Sequence, residues 1–314
     1  MVNILSTIEL SEETVALLKE HREDIEYRYV RSKDLGNNDY SWAHVLNTYG
    51  SHIKHHDIKD FTELKWLNVM SAGVDSLPFE DLKDIPVTNA RGIHKIPMME
   101  YTIGLILNHY KNFYQNKVDQ NSRFWNNQVS TEELYGKNVH IFGTGSIGSH
   151  IAKVLQVFGA VTTGYNTTGR AVEGFDKTHS IEEKNKYVDE ADIVISILPK
   201  TKDTDAIFDD TFFETMKDSG IFINIGRGNV VTDDVLLNVL ENKVIGHMIL
   251  DVFNLEPLPG DSPFFNYENI TITPHSSATT HAYYDRAAKI LGQNLTLYPD
   301  FERMENLVDK GKGY

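Results

Sequence analysis

Val139-His140-Ile141-Phe142-Gly143-Thr144-Gly145-Ser146-Ile147-Gly148 carries a short apolar run straight into G-x-G-x-x-G, and residues 149–158 continue with apolar side chains at helical spacing. The order matters more than the glycines themselves. A strand that ends in a tight turn and restarts as a helix leaves the first helical amides without partners, at the positive end of the helix, where a pyrophosphate is stabilised. The first glycine permits the turn, the second lets a ligand approach the backbone, and the third lets helix close on strand. The segment therefore predicts a dinucleotide site, with Gly143, Thr144, Gly145, Ser146, Ile147 and Gly148 around the phosphates.

Working outward, strand-length apolar runs at 139–142, 161–165, 193–198, 221–225, 248–252 and 270–273 alternate with amphipathic stretches. Six strands with intervening helices are the count of a dinucleotide-binding sheet. Upstream, runs at 2–5, 45–49, 67–71 and 87–90, with a helix over 12–19, form a smaller unit of the same type. The predicted fold class is α/β, two Rossmann-like or flavodoxin-like parallel-sheet domains separated by a cleft. From Pro97 a long helix is expected through 98–107 and on towards Trp125, with the proline in the first turn, where its missing amide hydrogen has no helical partner. The last amphipathic stretch, 283–297, has no following strand and is expected to pack back on the first domain. The expected division is 1–96 plus 282–314 for substrate and 97–281 for the dinucleotide.

Composition narrows the function classes. A net charge of -15 repels a phosphate backbone, and no Lys/Arg-rich run offsets it, so nucleic acid is not an expected partner. With 0 cysteines there is no disulfide framework, thiolate metal site or cysteine nucleophile. Met1 to Ser6 lacks a basic segment and meets Glu9, Glu12 and Glu13, unlike a signal peptide, and no apolar run approaches the roughly 18 residues of a spanning helix. A cytoplasmic protein with no membrane partner is expected.

Three further stretches put titratable side chains just after strands, where open α/β sheets bind ligands: Asn224-Ile225-Gly226-Arg227-Gly228, Asp251-Val252-Phe253-Asn254-Leu255-Glu256-Pro257-Leu258-Pro259, and Thr273-Pro274-His275-Ser276-Ser277. Singly, each has a plain explanation: Arg227 as a capping surface charge, Glu256 as a solvated loop acid, His275 as a core histidine. Together and in this order they resemble the D-isomer-specific 2-hydroxyacid dehydrogenase family. The likeness extends along the chain to Ser71-Ala72-Gly73-Val74-Asp75, Met99-Glu100-Tyr101, Leu198-Pro199-Lys200-Thr201 with Thr204, and the Gly313-Tyr314 ending.

The resemblance implies that Arg227 holds the substrate carboxylate and polarises the keto oxygen, that His275 protonates that oxygen with Glu256 as its partner, and that Asp251 orients the nicotinamide amide. It also implies Ala72 and Gly73 as a backbone cradle for the carboxylate, completed when the cleft closes, and Leu198, Pro199, Thr204 and Ile225 beside the cofactor. The chemistry agrees. A planar guanidinium grips a carboxylate in two places, which lysine cannot do. Hydride arriving at a keto carbon leaves an alkoxide that needs a positioned proton donor, and a neighbouring carboxylate favours the imidazolium form. The implied reaction is reduction of a small 2-keto acid to the (R)-2-hydroxy acid. Formate dehydrogenase is the nearest enzyme rival, but there an amide partners the histidine, and Glu256 is an acid. A catalytically idle NAD(P)-sensing corepressor or scaffold is the rival from another class; Arg227, Glu256 and His275 together oppose it.

The cofactor is read from the strand over 161–165. An NAD-specific fold places Asp or Glu about 20 residues past the glycine motif, where it binds the ribose hydroxyls and repels a 2'-phosphate. Here the position is Asn166, followed by Thr167, Thr168, Gly169 and Arg170. NADP(H) is expected, with NAD(H) the weaker cofactor; the alternative is that Thr167 and Thr168 simply form a turn while Arg170 faces water, leaving a dual-specificity enzyme. No metal is expected: His52, His55 and His56 are read as a solvated polar loop, and His94 as an ordinary hinge residue. Phe113, Tyr114, Phe124 and Trp125 are expected to pack in a core or in a homodimer interface.

Overall fold

The computed structural model describes every residue except Lys54, His55, Asp57, Asp75, Lys83 and 312–314, so His55, Asp75 and the Gly313-Tyr314 ending lie outside the described residues. The chain forms two compact units, Met1–Ile93 with Thr280–Tyr314, and His94–Thr279. Both are α/β, with parallel sheets of five and seven strands.

In the first unit, β1 (Val2–Ser6), β2 (Ile25–Tyr29), β3 (Val45–Thr48), β4 (Trp66–Val69) and β5 (Val87–Asn89) pair in the order β2-β1-β3-β4-β5. The central strands β3 and β4 are buried throughout and include asparagines. These satisfy one another: Asn68 Nδ2 donates to Asn47 Oδ1 at 2.8 Å, Asn47 Nδ2 to Ser6 Oγ at 3.0 Å, and Thr88 Oγ1 to Asn68 Oδ1 at 2.9 Å. A fully paired polar ladder of this kind fixes strand register, because a slip would strand each amide in apolar surroundings. The helix Glu12–His21 begins at Ser11, whose Oγ accepts the Thr14 amide. It packs on the helix Tyr283–Leu297, which lays Ala287, Ala288, Leu291 and Leu295 into the same core as Leu18. β2 escapes a sequence reading because it is an edge strand, I-E-Y-R-Y, with little of its length buried.

The second unit contains β6 (Asn138–Phe142), β7 (Val161–Asn166), β8 (Lys177–Ser180), β9 (Ile193–Ser196), β10 (Ile221–Asn224), β11 (His247–Leu250) and β12 (Ile270–Ile272). Their order is β12-β11-β10-β9-β6-β7-β8, seven strands where six are expected. The addition is β8, K-T-H-S, an edge strand with no aliphatic residue that pairs only with β7. Strand order reverses between β6 and β9, and the crevice at such a reversal, beyond the carboxyl ends of the strands, is where these sheets bind ligands.

The long helix is shorter than the sequence suggests. It spans Lys95–Tyr110, then breaks at Asn112, whose φ of 51° is left-handed, and a separate helix runs over Phe113–Asn121. Pro97 does sit in the first turn. Met98, Ile103, Ile106 and Tyr110 bury one face of the first helix with Ile151, Ala152 and Leu155 of the helix Ser146–Val157. Phe113, Tyr114, Phe124 and Trp125 are exposed, Trp125 at 90%, so they form no core within this chain. Among the described residues, no helix is long and apolar enough to cross a membrane.

Candidate active site

The phosphate loop is shaped by contacts that only glycine allows. Gly143 leaves β6 with φ of 109°, left-handed backbone that suits glycine. A Cβ on Gly148 would lie 2.0 Å from the Gly143 carbonyl oxygen, so the helix can start this close to the strand only without a side chain. A Cβ on Gly145 would meet nothing within 4 Å, and Gly145, at the N-cap of Ser146–Val157, makes no side-chain cap bond. The space over Gly145 and the free amide end of a 12-residue helix form a cradle that fits a pyrophosphate.

Neighbouring loops are fastened beside it. Thr204 Oγ1 donates to the Pro199 carbonyl at 2.6 Å and accepts the Thr201 amide at 3.0 Å, which closes the loop after Leu198. Gly226 lies against that loop, since a Cβ there would be 2.7 Å from the Leu198 carbonyl oxygen. Ile225 is buried beneath it. After β7, Asn166 turns back on its own loop: Oδ1 accepts the amides of Thr168 and Arg170, both at 3.2 Å, and Nδ2 donates to the Arg170 carbonyl at 2.9 Å. Thr167, Thr168 and Arg170 are left exposed around this tie.

Three adjacent strands carry the side chains expected to be catalytic. Arg227 follows β10, with Nη1 donating to the Gly226 carbonyl at 2.9 Å and its own carbonyl held by Asn224 Nδ2 at 2.9 Å. Gly228 brings this turn onto the next loop, for its Cβ would fall 2.1 Å from the Phe253 carbonyl carbon. Glu256 Oε1 accepts the Phe253 amide at 2.9 Å, which aims Oε2 at His275 Nδ1, 2.7 Å away. His275 follows β12 with φ of 50°. A non-glycine residue in this region costs about 1–3 kcal/mol and persists where surrounding contacts impose it. Here the His275 amide donates to the Asp251 carbonyl at 2.8 Å. A pocket of about 620 Å³ opens beside the pair, walled by Phe253, Leu258, Phe265 and Ile272. The pair itself is open to water, with the His275 side chain 47% and the Glu256 side chain 34% exposed.

Asp251 is buried at 1% exposure. Burial pushes its carboxyl up, but the Ser276 amide, the bonds from Ser277 and the Thr273 hydroxyl outweigh this and hold it below the ordinary aspartate range. It is a buried anion held by several donors, most of them on Oδ1.

Ala72 and Gly73 lie in the loop after β4 of the first unit, where Ser71 Oγ donates to the Gly73 carbonyl at 2.7 Å and Asn89 Nδ2 to the Ala72 carbonyl at 2.8 Å. With the carbonyls tied down, the loop conformation is fixed from both sides.

Two expectations change. His94 is more than a hinge: it is buried, precedes Lys95–Tyr110, and has a pKa lowered to about 4, by burial first and then by the charge of Arg227. A neutral imidazole beside the guanidinium avoids a second positive charge there. His52 and His56 are not solvated loop residues: His52 Nδ1 bonds Thr7 Oγ1 at 2.9 Å, and His56 Nδ1 bonds Tyr40 Oη at 2.9 Å. Among the described residues, no group of three or more His, Asp or Glu could hold a metal. Tyr101, Thr273, Ser276 and Ser277, which surround Asp251, carry no signal beyond their motifs, because the contacts join residues up to 150 positions apart.

Known proteins resemble this arrangement. The model of the D-isomer specific 2-hydroxyacid dehydrogenase NAD binding domain matches residues 103–277. An uncharacterized protein from the proB 3' region of Corynebacterium melassecola is 30% identical over 288 residues, 84% of this chain and 94% of that one. A crystal structure of a D-isomer specific 2-hydroxyacid dehydrogenase family protein from Aeromonas salmonicida is 31% identical, covers 98% of this chain and 99% of that one, and superposes with a TM-score of 0.91. The NADPH-dependent glyoxylate/hydroxypyruvate reductase of Sinorhizobium meliloti, in complex with NADP and sulfate, shares the fold at 24% identity, full coverage of each chain (100% and 100%) and a TM-score of 0.83. With the glycine cradle after β6 and the Arg227, Glu256 and His275 loops after β10, β11 and β12, this chain belongs to the D-isomer specific 2-hydroxyacid dehydrogenase family.

Proposed function

We propose that the protein is an NADP(H)-dependent reductase that converts a small 2-keto acid to the (R)-2-hydroxy acid. The observation that carries the reading is the 2.7 Å contact between His275 Nδ1 and Glu256 Oε2, one strand from Arg227. The bound nicotinamide supplies the hydride. Arg227 binds the carboxylate through its planar fork and draws charge onto the keto oxygen. His275 gives a proton from Nε2 to that oxygen, while Glu256 holds Nδ1–H and keeps the ring in the donating tautomer and orientation. The backbone amides of Ala72 and Gly73 bind the substrate carboxylate, and Asp251 orients the nicotinamide amide.

The neutral Asn166 favours NADP(H), since an acidic residue there would repel a 2'-phosphate, and Thr167, Thr168 and Arg170 offer donors to it. That the Sinorhizobium meliloti relative is named as NADPH-dependent supports the same choice. The exposed aromatics Phe113, Tyr114, Phe124 and Trp125 support a homodimer, because a monomer rarely leaves so much large apolar surface in water. Light scattering at micromolar concentration should give twice the chain mass; a single-chain mass refutes the dimer.

The decisive assay is NADPH oxidation with glyoxylate, hydroxypyruvate, branched 2-keto acids and phenylpyruvate, followed by chiral chromatography of the product. At least one should turn over to the (R) isomer. Tight NADPH binding with no turnover of any of them would favour a sensing role, and an (S) product would mean the substrate lies the other way round between Arg227 and His275.

A further inference from the structure

We propose that Tyr101 is a positioning residue for the reaction, its hydroxyl fixing, through Asp251 and Ser276, the turn that presents His275 to Glu256. The inference rests on the reading of His275 as proton donor. Tyr101 lies on the helix Lys95–Tyr110, with its Oη 3.3 Å from Asp251 Oδ1 and 3.1 Å from Ser276 Oγ. Only one direction is open to these bonds. A carboxylate can only accept, so the phenol proton goes to Asp251, and the Tyr101 oxygen is left to accept the Ser276 hydroxyl. Burial, helped by the charge of Asp251 and opposed by bonds to Ser276 and Thr273, raises the phenol above its ordinary range, so it keeps that proton throughout any working pH.

The other bonds to Asp251 bracket His275. Thr273 Oγ1 donates to Oδ1 at 2.7 Å, two residues before it; the Ser276 amide donates to Oδ1 at 2.9 Å and the Ser277 amide to Oδ2 at 3.0 Å, immediately after it. One buried carboxylate thus grips both sides of a histidine whose backbone is left-handed. Tyr101 is the link from this carboxylate to a rigid helix. Removing the hydroxyl leaves His275 in place chemically but loosens the turn that aims its Nδ1 at Glu256. The sequence motifs that contain these residues do not show that they meet, since Tyr101 lies 150 positions from Asp251 and 175 from Ser276.

Tyr101→Phe deletes only the hydroxyl. In the full-length enzyme, kcat should fall about tenfold, as for one lost bond to a charged group. KM for the keto acid and Kd for NADPH should stay within about twofold, and the thermal midpoint close to wild type. Glu256→Gln should also lower kcat, and the double variant should lose no more than Glu256→Gln alone, because both act on one contact. Ser276→Ala should give a smaller effect of the same sign, and it decides the matter if Tyr101→Phe fails to fold. Wild-type kcat in Tyr101→Phe overturns the inference, as does a slower variant whose loss adds in full to that of Glu256→Gln or lies in NADPH binding. Wild-type kcat in His275→Asn sinks the assignment of His275 as donor, and this inference with it.

Discussion

Acid should weaken the cofactor-binding sheet, and His140 shows by how much. It lies on β6, the strand that ends in the phosphate loop, at 2% exposure, with Nδ1 bonded to Tyr165 Oη on β7 at 3.1 Å. Burial, then the charges of His179, Lys217 and Lys177, lower its pKa from 6.5 to about 4. The folded state therefore holds the ring neutral where the unfolded chain would protonate it. The stabilisation is present above pH 6.5 and is lost as pH falls from 6.5 towards about 4. With these two values the loss between pH 7 and pH 5 is about 2 kcal/mol, a factor of about 20 in the local opening equilibrium. His140→Gln keeps a polar partner for Tyr165 but takes up no proton. Amide-exchange protection in β6 and β7, corrected for intrinsic exchange, should drop from pH 7 to pH 5 by about 20-fold more in wild type than in the variant. Equal drops in the two proteins would refute the reasoning, and would mean that His140 is hydrated enough to protonate in place.

Arg227→Lys loses the two-point grip on the carboxylate and should reduce kcat/KM by roughly 30- to 1000-fold, about 2–4 kcal/mol; near wild-type turnover removes Arg227 from the site. Gly148→Ala forces a Cβ to within 2.0 Å of the Gly143 carbonyl oxygen, which neither backbone can yield cheaply. An overpacking penalty of about 1–3 kcal/mol should appear as a 5- to 150-fold rise in Kd for NADPH by fluorescence titration, and unchanged affinity would show that the loop is looser than its contacts suggest. Wild type should prefer NADPH over NADH by about 10- to 150-fold in kcat/KM, and Asn166→Asp with Arg170→Ala should reverse this. NADH as the better wild-type cofactor would refute the role given to the loop.

The parts legible in the sequence are those whose signal is local. The G-x-G-x-x-G turn at 143–148 announces itself because strand, turn and helix are consecutive, and the buried central strands show as unbroken apolar runs. Arg227, Glu256 and His275 stand out because each follows such a strand. The tertiary structure decided the rest. β2 and β8 are edge strands whose pairing is given by a neighbour rather than by their own hydrophobicity. The helix break at Asn112 is a single left-handed residue, invisible to periodicity. His94 becomes a neutral neighbour of Arg227 through burial, which no spacing encodes. Asn166 looks in sequence like a missing acid, and in the structure it is the tie that holds its own loop. Above all, the strained His275 and its carboxylate depend on Asp251 and Tyr101, groups from separate elements whose bonds exist only once the sheet has brought its strand ends together.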